Sequence, residues 1–277
     1  MANYRKIFAA CLVCVLISAG TGVYAQTGQG LNAGGNILTM AVAWKQTAAE
    51  YRALYHQGFN LATQKVREAL PARRSNSKPL AVLTDLDDTL LLPLNYWGAL
   101  IEDGKDFFDD AVWDNWIPQY EMIAAPGALE FLNYCKANGV EVYYVTNRDQ
   151  GSATYDLALE SIKRLGFPYA DRDHLTVLIE TSNKENAQKA VAEKFDVLCY
   201  LGDSLNDFKR VYYVQNVDER IALMERDKAL FGDKFILFPN PTDGHWIRAI
   251  FGDSEPPASD ENRRKFKEAA MKNRIKR

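Results

Sequence analysis

Cysteine, histidine and long apolar runs are scarce in this chain of 277 residues, which has four cysteines and three histidines. The apolar run from Ile7 to Ile17 is too short for a membrane-spanning helix, which needs about 20 such residues. Two of the cysteines, Cys11 and Cys14, lie near the amino terminus. The other two, Cys135 and Cys199, fall in a predicted helix and a predicted strand. Buried free thiols are favoured for this second pair over a disulfide.

A large excess of charge is also lacking. The formal net charge is −3, which gives no reason to expect a nucleic-acid polymer as a partner. Hydrophobic residues make up 47% of the chain and charged residues 25%, as in ordinary globular proteins. The length fits one large domain or one domain with insertions. The sequence leaves open whether the chain forms a homodimer.

The amino terminus has the pattern of a secretory leader. Arg5 and Lys6 precede the apolar run, and Val23-Tyr24-Ala25 supplies small residues at a cleavage site. We predict a signal peptide over residues 1–25 and export to the periplasm or cell envelope of a bacterium. Lipidation at Cys11 or Cys14 is an alternative in a poor context, and the chain is expected at a membrane only if lipidated. Residues 26–36, rich in Gly, Gln and Asn, are predicted to be disordered.

Helical and strand patterns alternate through the rest of the chain. A helical pattern over residues 37–70 precedes this alternation. Helices are predicted near residues 126–136, 151–165 and 184–194, and strands at 80–84, 140–145, 175–179, 197–201 and 235–238. Short apolar strands that alternate with helices predict an α/β fold with a mostly parallel sheet, assigned to residues 37–252.

Two segments interrupt or follow this pattern. Residues 91–125 are rich in aromatic side chains and acids, and predict a small cap over the end of the first strand. Most of its rings are expected to form a satellite core, whereas Trp113 and Trp116 are candidates for stacking on a substrate. Residues 253–277 form a basic tail, for which a solvated helix or a disordered segment is favoured over docking to an acidic surface.

Polar residues in four segments, three after predicted strands and one at the start of a predicted helix, lie at positions that suit phosphate chemistry. The first strand leads into Asp85-Leu86-Asp87-Asp88-Thr89-Leu90, and its carboxylates can attack an electrophile and transfer a proton. Thr146 follows a second strand, where a hydroxyl can hold a phosphate oxygen. Lys184 begins a helix, and Gly202-Asp203-Ser204-Leu205-Asn206-Asp207 follows a later strand. Such carboxylates suit Mg²⁺.

Each segment, taken alone, also has a structural interpretation that involves no catalytic function. The acids fit a surface turn, Thr146 fits a helix cap, and Lys184 fits a solvated surface position. His56, His174 and His245 are favoured as structural or surface residues. The order of the four segments along one α/β pattern favours the functional interpretation.

In that order the segments resemble the four motifs of the haloacid dehalogenase (HAD) superfamily of phosphotransferases. The run from Gly202 to Phe208 is similar to the signature of class C nonspecific acid phosphatases, which include the lipoprotein e family of 5′-nucleotidases. Ala125-Pro126-Gly127, Thr146-Asn147-Arg148 and Arg164-Leu165-Gly166-Phe167 support the same resemblance. It implies a HAD-like, Rossmann-type parallel sheet flanked by helices, with a cap insertion and N-terminal helices.

The resemblance also implies a mechanism and a set of residues. Asp85 is expected to be the nucleophile, and Asp87 the proton donor and then the base. Thr146, Asn147 and Lys184 are expected to bind the phosphoryl oxygens. The expected ligands of Mg²⁺ are the Asp85 and Asp203 side chains and the Asp87 backbone carbonyl. Asp207 is expected to support the metal or Lys184 from behind.

The chain departs from the family pattern at several positions. Asp88 stands where the family usually has Glu, Ser204 replaces Asn or Thr, and Asp243-Gly244-His245-Trp246 replaces a Tyr-Gly-x-Trp run. These positions lie near the leaving group, so the substrate stays open. The predicted function is a secreted, Mg²⁺-dependent phosphomonoesterase, with nucleoside 5′-monophosphates as one candidate substrate. The alternative is a surface binding or adhesion protein on the same fold.

Overall fold

The computed structural model describes residues 35–74 and 77–272. The predicted leader, with Cys11 and Cys14, lies outside the described residues, as do most of the predicted linker and the last five residues of the tail. Among the residues described, no helix is both long and apolar enough to cross a membrane.

The centre of the fold is a five-stranded parallel sheet with the strand order β5-β4-β1-β6-β7. Its strands are β1 (Leu80–Thr84), β4 (Glu141–Asn147), β5 (Leu175–Leu178), β6 (Asp196–Gly202) and β7 (Phe235–Leu237). All five residues of the central strand β1 are buried, since it pairs with a strand on either side and is covered on both faces. The chain runs from β1 through β4 to β5 at one edge and then crosses to β6 and β7 on the other side of β1. The crevice for a ligand is therefore expected at the carboxyl end of β1.

The described part of the chain has ten α-helices. They are α1 (Leu38–Thr47), α2 (Ala49–Ala69), α3 (Leu94–Glu102), α4 (Asp110–Trp116), α5 (Ala128–Ala137), α6 (Thr154–Arg164), α7 (Glu185–Lys194), α8 (Val217–Arg226), α9 (His245–Phe251) and α10 (Asp260–Ala270). The sequence predicts one helical segment over residues 37–70, whereas the structure has two helices separated by the extended Ala48. The break follows from their partners, because α1 packs on α3 while α2 packs on α5 and the sheet.

Aromatic side chains fix α2 to the sheet. Phe59 lies with its ring centroid 4.6 Å from that of Phe238 and 5.7 Å from that of Phe131. Gly58 permits this approach, because a Cβ atom there would lie 2.5 Å from the Phe238 ring. Burial of a ring of this size stabilises the fold by about 2 kcal/mol, so α2 is an integral part of the domain.

The segment predicted as a cap forms a separate small layer. It contains α3, α4 and a two-stranded antiparallel pair, β2 (Leu91–Leu92) and β3 (Ile123–Ala124). Tyr96 is the centre of its core, with ring centroids of Trp97 and Trp113 at 5.0 Å and of Trp116 at 5.8 Å. The rings are buried against one another, which accounts for the aromatic content of this segment.

The basic tail contributes one helix that touches the domain along one side. No residue of α10 is buried, but Phe266 stacks on Phe251 with ring centroids 6.1 Å apart. Arg263 also donates to the buried carboxylate of Asp106 at 2.8 Å. The two cysteines of the described residues, Cys135 and Cys199, are buried and free, as the sequence predicts.

Candidate active site

The four predicted segments meet at the carboxyl end of the parallel sheet. Asp85 directly follows β1, Thr146 lies near the end of β4, and Asp203 directly follows β6. Lys184 lies in the connection between β5 and α7, one residue before that helix. Parallel strands end at the same edge of a sheet, so residues far apart in the sequence come together here.

Asp85 is held by Lys184. The Lys184 ammonium group donates to Asp85 Oδ1 and also lies 2.7 Å from Asp207 Oδ1. All three side chains are buried, with 6% of Lys184 and 8% of each aspartate exposed. Burial opposes the charge of Lys184, but the charges of Asp207 and Asp85 outweigh it and raise the pKa of the ammonium group. Lys184 is therefore a fixed positive charge beside Asp85.

Asp203 lies beside Asp85 and is oriented by two donors that the sequence analysis missed. Asn240 donates to Asp203 Oδ2 at 2.7 Å, and the Thr89 hydroxyl lies 3.2 Å from Oδ1 and 3.3 Å from Asp85 Oδ2. Carboxylate oxygens of Asp85, Asp203 and Asp207 all lie within 4.8 Å of one another. This arrangement of hard oxygen donors fits a divalent cation such as Mg²⁺.

The acids at the centre outnumber the bases that face them. Asp85 and Asp207 pair with the Lys184 ammonium group, and Asp88 pairs with that of Lys45. In the part of the chain that the structure describes, no other basic side chain lies within 4.0 Å of these carboxylates or of Asp203. Burial, opposed by Lys184, raises the pKa of Asp85 to about 7. Burial and the three neighbouring carboxylates raise the pKa of Asp203 well above its usual range. A bound cation would balance this excess negative charge.

Asp87 pairs with Arg148, whereas Lys184 pairs with Asp85 and Asp207. Nε of Arg148 donates to Asp87 Oδ2 at 2.7 Å and Nη2 donates to Oδ1 at 2.6 Å. The Arg148 guanidinium is buried against Ser161, Met122 and the Trp113 ring, whereas a quarter of the Asp87 side chain is exposed. The Thr146 hydroxyl lies 3.5 Å from Asp87 Oδ2. The two acids of the first motif thus have separate basic partners.

Asp88 is buried behind the site and pairs with a residue of α1. The ammonium group of Lys45 donates to Asp88 Oδ1 at 2.6 Å and to the Thr242 hydroxyl at 2.8 Å. Asn240 also donates to Asp88 Oδ2, at 3.2 Å, so one amide joins Asp88 to Asp203. Asp88 has a φ of +56°, a left-handed conformation that aspartate tolerates better than most residues. The N-terminal helix therefore takes part in the charge balance of the site.

A cavity of about 470 Å³ opens over Asp87 and Arg148. We call it the catalytic cavity. Trp113, Phe108 and Tyr213 contribute aromatic faces to its wall, and Asn147 also lines it. Of the two tryptophans predicted to stack on a substrate, Trp113 lines this cavity, whereas Trp116 is buried behind it and does not. Three residues apart, the two rings share a face of α4 with their centroids 5.5 Å apart, and only Trp113 reaches the cavity.

Asn147 and His245 lie at the edge of the catalytic cavity. The Asn147 side chain is exposed and its Nδ2 donates to the Leu178 carbonyl at 2.7 Å, which ties the end of β4 to β5. His245 lines the same cavity, and burial lowers its pKa to about 4. Its ring is therefore neutral near pH 7.

Residues 34–246 match the family model described as HAD superfamily, subfamily IIIB (Acid phosphatase). The chain belongs to this family. The class C acid phosphatase of Bacillus anthracis is 32% identical, and the match covers 86% of this chain and 96% of that one. Comparison of this chain with the tungstate-bound structure of that enzyme gives a TM-score of 0.74. A second structure of the same enzyme gives 0.75.

These matches confirm the predicted family and the HAD-like fold. The enzyme is a phosphomonoester hydrolase of the acid phosphatase type. Membership of this family implies a small-molecule phosphoester as substrate. The carboxylate cluster could hold the divalent metal that such phosphatases typically use.

Proposed function

We propose that the enzyme is an exported, Mg²⁺-dependent phosphomonoesterase that works through an aspartyl-phosphate on Asp85. The observation that carries this proposal is the convergence of Asp85, Lys184 and Asp203 at the carboxyl ends of neighbouring parallel strands. Export rests on the leader pattern of residues 1–25.

Asp85 is the proposed nucleophile. One carboxylate oxygen attacks phosphorus in line, the bond from phosphorus to the leaving oxygen breaks, and an aspartyl-phosphate forms. Water then attacks phosphorus, releasing inorganic phosphate and restoring the carboxylate. Lys184, already in contact with Asp85 Oδ1, remains beside the reacting group and offsets the negative charge of the phosphoryl oxygens.

Asp87 is the proposed proton donor to the leaving oxygen and the base for the attacking water. Both of its oxygens accept from Arg148 in this structure, so one of them must be released before it carries a proton. Asp87 is partly exposed and lines the catalytic cavity, which supports this role.

The carboxylate cluster is the proposed Mg²⁺ site. The side chains of Asp85 and Asp203 and the backbone carbonyl of Asp87 would hold the ion, with Asp207 in support of Lys184 at 2.7 Å. When bound, the ion supplies positive charge that stabilises the phosphoryl group in the transition state. Thr146 and Lys184 bind phosphoryl oxygens, and Asn147, whose side chain is committed to Leu178, contributes at most through its backbone N–H.

The release of inorganic phosphate tests this proposal. Residues 26–277 are assayed on a panel of phosphomonoesters with Mg²⁺ and with EDTA, beside Asp85→Asn. Asp156→Asn, at an exposed position of α6, is the matched control. We expect metal-dependent turnover that Asp85→Asn lowers by at least about a thousandfold. A folded protein that turns over no ester would overturn the proposal and favour a binding protein on this fold.

Nucleoside 5′-monophosphates are the proposed substrates within this class, since Trp113 offers a ring to a nucleobase in the catalytic cavity. Loss of base stacking costs about 1–3 kcal/mol. Trp113→Leu is therefore expected to raise KM for a nucleoside monophosphate at least fivefold relative to glycerol phosphate. Trp116→Leu, which alters the same aromatic core outside the cavity, is the control. Equal effects of the two variants on both esters would exclude stacking on Trp113.

A further inference from the structure

Asn240 reaches the carboxylate cluster from the segment that follows β7, the strand beside β6. Its Nδ2 donates to Asp203 Oδ2 at 2.7 Å and to Asp88 Oδ2 at 3.2 Å. An amide nitrogen carries two hydrogens, so it can serve both carboxylates at once. Asn240 therefore links one acid of the cluster to the buried acid behind it.

The side chain of Asn240 is itself held in one orientation. Its Oδ1 accepts from the backbone N–H groups of Thr242 and Asp243 at 3.1 and 3.2 Å, and from the Thr242 hydroxyl at 2.8 Å. That hydroxyl accepts from the Lys45 ammonium group at 2.8 Å, so its own hydrogen is left for Asn240. These donors require the amide oxygen, and the amide nitrogen must therefore face the carboxylates.

Three of the four carboxylate oxygens of Asp85 and Asp207 already have a strong donor. The Lys184 ammonium group donates to Asp85 Oδ1 and lies 2.7 Å from Asp207 Oδ1. The Ser204 backbone N–H donates to Asp207 Oδ2 at 2.9 Å. Asp207 is thus engaged at both oxygens, whereas Asp85 keeps Oδ2 for another partner.

Asp203 likewise keeps one oxygen, and it faces the same point as Oδ2 of Asp85. Asp203 Oδ1 and Asp85 Oδ2 lie 3.2 and 3.3 Å from the Thr89 hydroxyl, which among the described residues is the only hydrogen-bond donor to either. Two carboxylate oxygens that share one neighbour can share one cation. The Asp203 oxygen on the other side is engaged by Asn240.

We propose that Asn240 is a positioning residue that makes Asp203 a single-oxygen ligand and thereby selects Mg²⁺ over Ca²⁺. This inference rests on the Mg²⁺ site of the proposed function. Mg²⁺ is small, requires six ligands in a near-ideal octahedron and keeps several waters, so one oxygen from each acid suits it. Ca²⁺ takes six to eight ligands, and both oxygens of one carboxylate often bind it. Asp203 can offer Ca²⁺ its second oxygen only by breaking the bond to Asn240.

Isothermal titration of the purified enzyme with Mg²⁺ alone and with Ca²⁺ alone tests the proposal without any phosphoester. Asn240→Asp keeps an acceptor for Thr242 but lacks the N–H groups, and Asn240→Leu lacks both. In each variant the ratio of the Ca²⁺ Kd to the Mg²⁺ Kd is expected to fall at least tenfold. The added charge of Asn240→Asp acts on both ions, so the ratio rather than either affinity is the measure. Asn133→Asp, at an exposed position of α5, is the control and should keep the parent ratio.

A parent that binds Mg²⁺, together with Asn240 variants that keep its ratio, would overturn the inference and leave the proposed metal site intact. A parent that binds no Mg²⁺ would overturn both. A purely structural role of Asn240 would lower the melting temperature of the metal-free variants without changing the ratio.

Thr242→Val provides a further variant, because loss of the Asn240 bonds can disturb folding. It leaves Asn240 in place and removes the hydroxyl that donates to its Oδ1. The looser amide is expected to lower the ratio at least threefold, and less than Asn240→Leu does. An unchanged ratio in Thr242→Val would contradict the proposal even where the Asn240 variants do not fold.

Discussion

Arg148 holds both carboxylate oxygens of Asp87, with Nε 2.7 Å from Oδ2 and Nη2 2.6 Å from Oδ1. A planar guanidinium that binds a carboxylate in this way fixes the direction of the carboxylate as well as its charge. The proposed proton donor of the enzyme is therefore oriented by a residue that is itself buried against the cap.

Arg148→Gln is expected to lower kcat most for esters with poor leaving groups. An unoriented Asp87 protonates the leaving oxygen less efficiently, and general acid catalysis contributes about 10²–10⁴-fold. We expect a loss at least tenfold greater for an alkyl phosphate than for an activated aryl phosphate, measured as initial rates. Arg164→Gln, an exposed arginine on α6, is the control. Equal losses for both esters would argue against a role through Asp87.

Metal binding is expected to raise the melting temperature of the enzyme, because a cation relieves repulsion among Asp85, Asp203 and Asp207. At a Mg²⁺ concentration 100 times Kd the gain is about 2.7 kcal/mol. For a domain of this size that corresponds to about 5–10 °C. Scanning calorimetry with Mg²⁺ and with EDTA measures the shift. Asp203→Asn should lose it and Asp156→Asn should keep it, while a full shift in Asp203→Asn would place the ion elsewhere.

Lys45→Met is expected to lower the free energy of unfolding by about 3–5 kcal/mol, because it leaves the buried carboxylate of Asp88 without a counter-ion. The Lys45 side chain is fully buried and that of Asp88 is 5% exposed. In Lys45→Met/Asp88→Asn both charges are absent, and most of the loss should be recovered. Urea unfolding measures all three proteins. A double variant no more stable than Lys45→Met would show that the ion pair is not the cause.

Because of His245, the enzyme is expected to become less stable as the pH falls from 6.5 to 4. Burial lowers the pKa of folded His245 to about 4, whereas the unfolded chain has a value of about 6.5. Between these values the unfolded state binds more protons, so acid favours unfolding, by an amount on the order of 2 kcal/mol. The effect is complete below pH 4 and absent above pH 6.5.

The corresponding test compares His245→Gln with the parent by urea unfolding at pH 7, 5.5 and 4.5. The variant is expected to lose less stability over this range. His56→Gln, which changes an exposed histidine on α2, should follow the parent. Identical slopes for His245→Gln and the parent would show that His245 does not titrate differently in the two states.

The sequence predicted those parts of the site that depend on local patterns. β1 and β6 are apolar runs, and the acids that follow them had to meet at one edge of a parallel sheet, as Asp85 and Asp203 do. The free cysteines and the aromatic core of the cap were also predicted. The catalytic roles of Asp85 and Asp87 stay predictions until they are measured.

Other features of the site depend on contacts between residues that are far apart in the sequence, which local sequence patterns do not predict. Lys45 lies 43 residues before Asp88. Nothing in the sequence of its helix identifies Asp88 as its partner. Asn240 lies even farther from Asp88 in the sequence. The sequence shows an arginine at position 148. It does not show which acid pairs with Arg148, because the pairing depends on side-chain rotamers. Periodicity likewise did not settle whether Trp113 or Trp116 faces the cavity, because that depends on how α4 sits on its neighbours.

The ion pair between Lys45 of α1 and Asp88 also makes the charge balance of the site depend on the chain link at Ala48. A protease that cuts at the extended Ala48 would leave a fragment with the whole sheet and all four motifs but without the counter-ion of Asp88. Loss of this one short helix would inactivate the cleaved enzyme. Addition of a peptide of residues 36–48 would be expected to restore its activity.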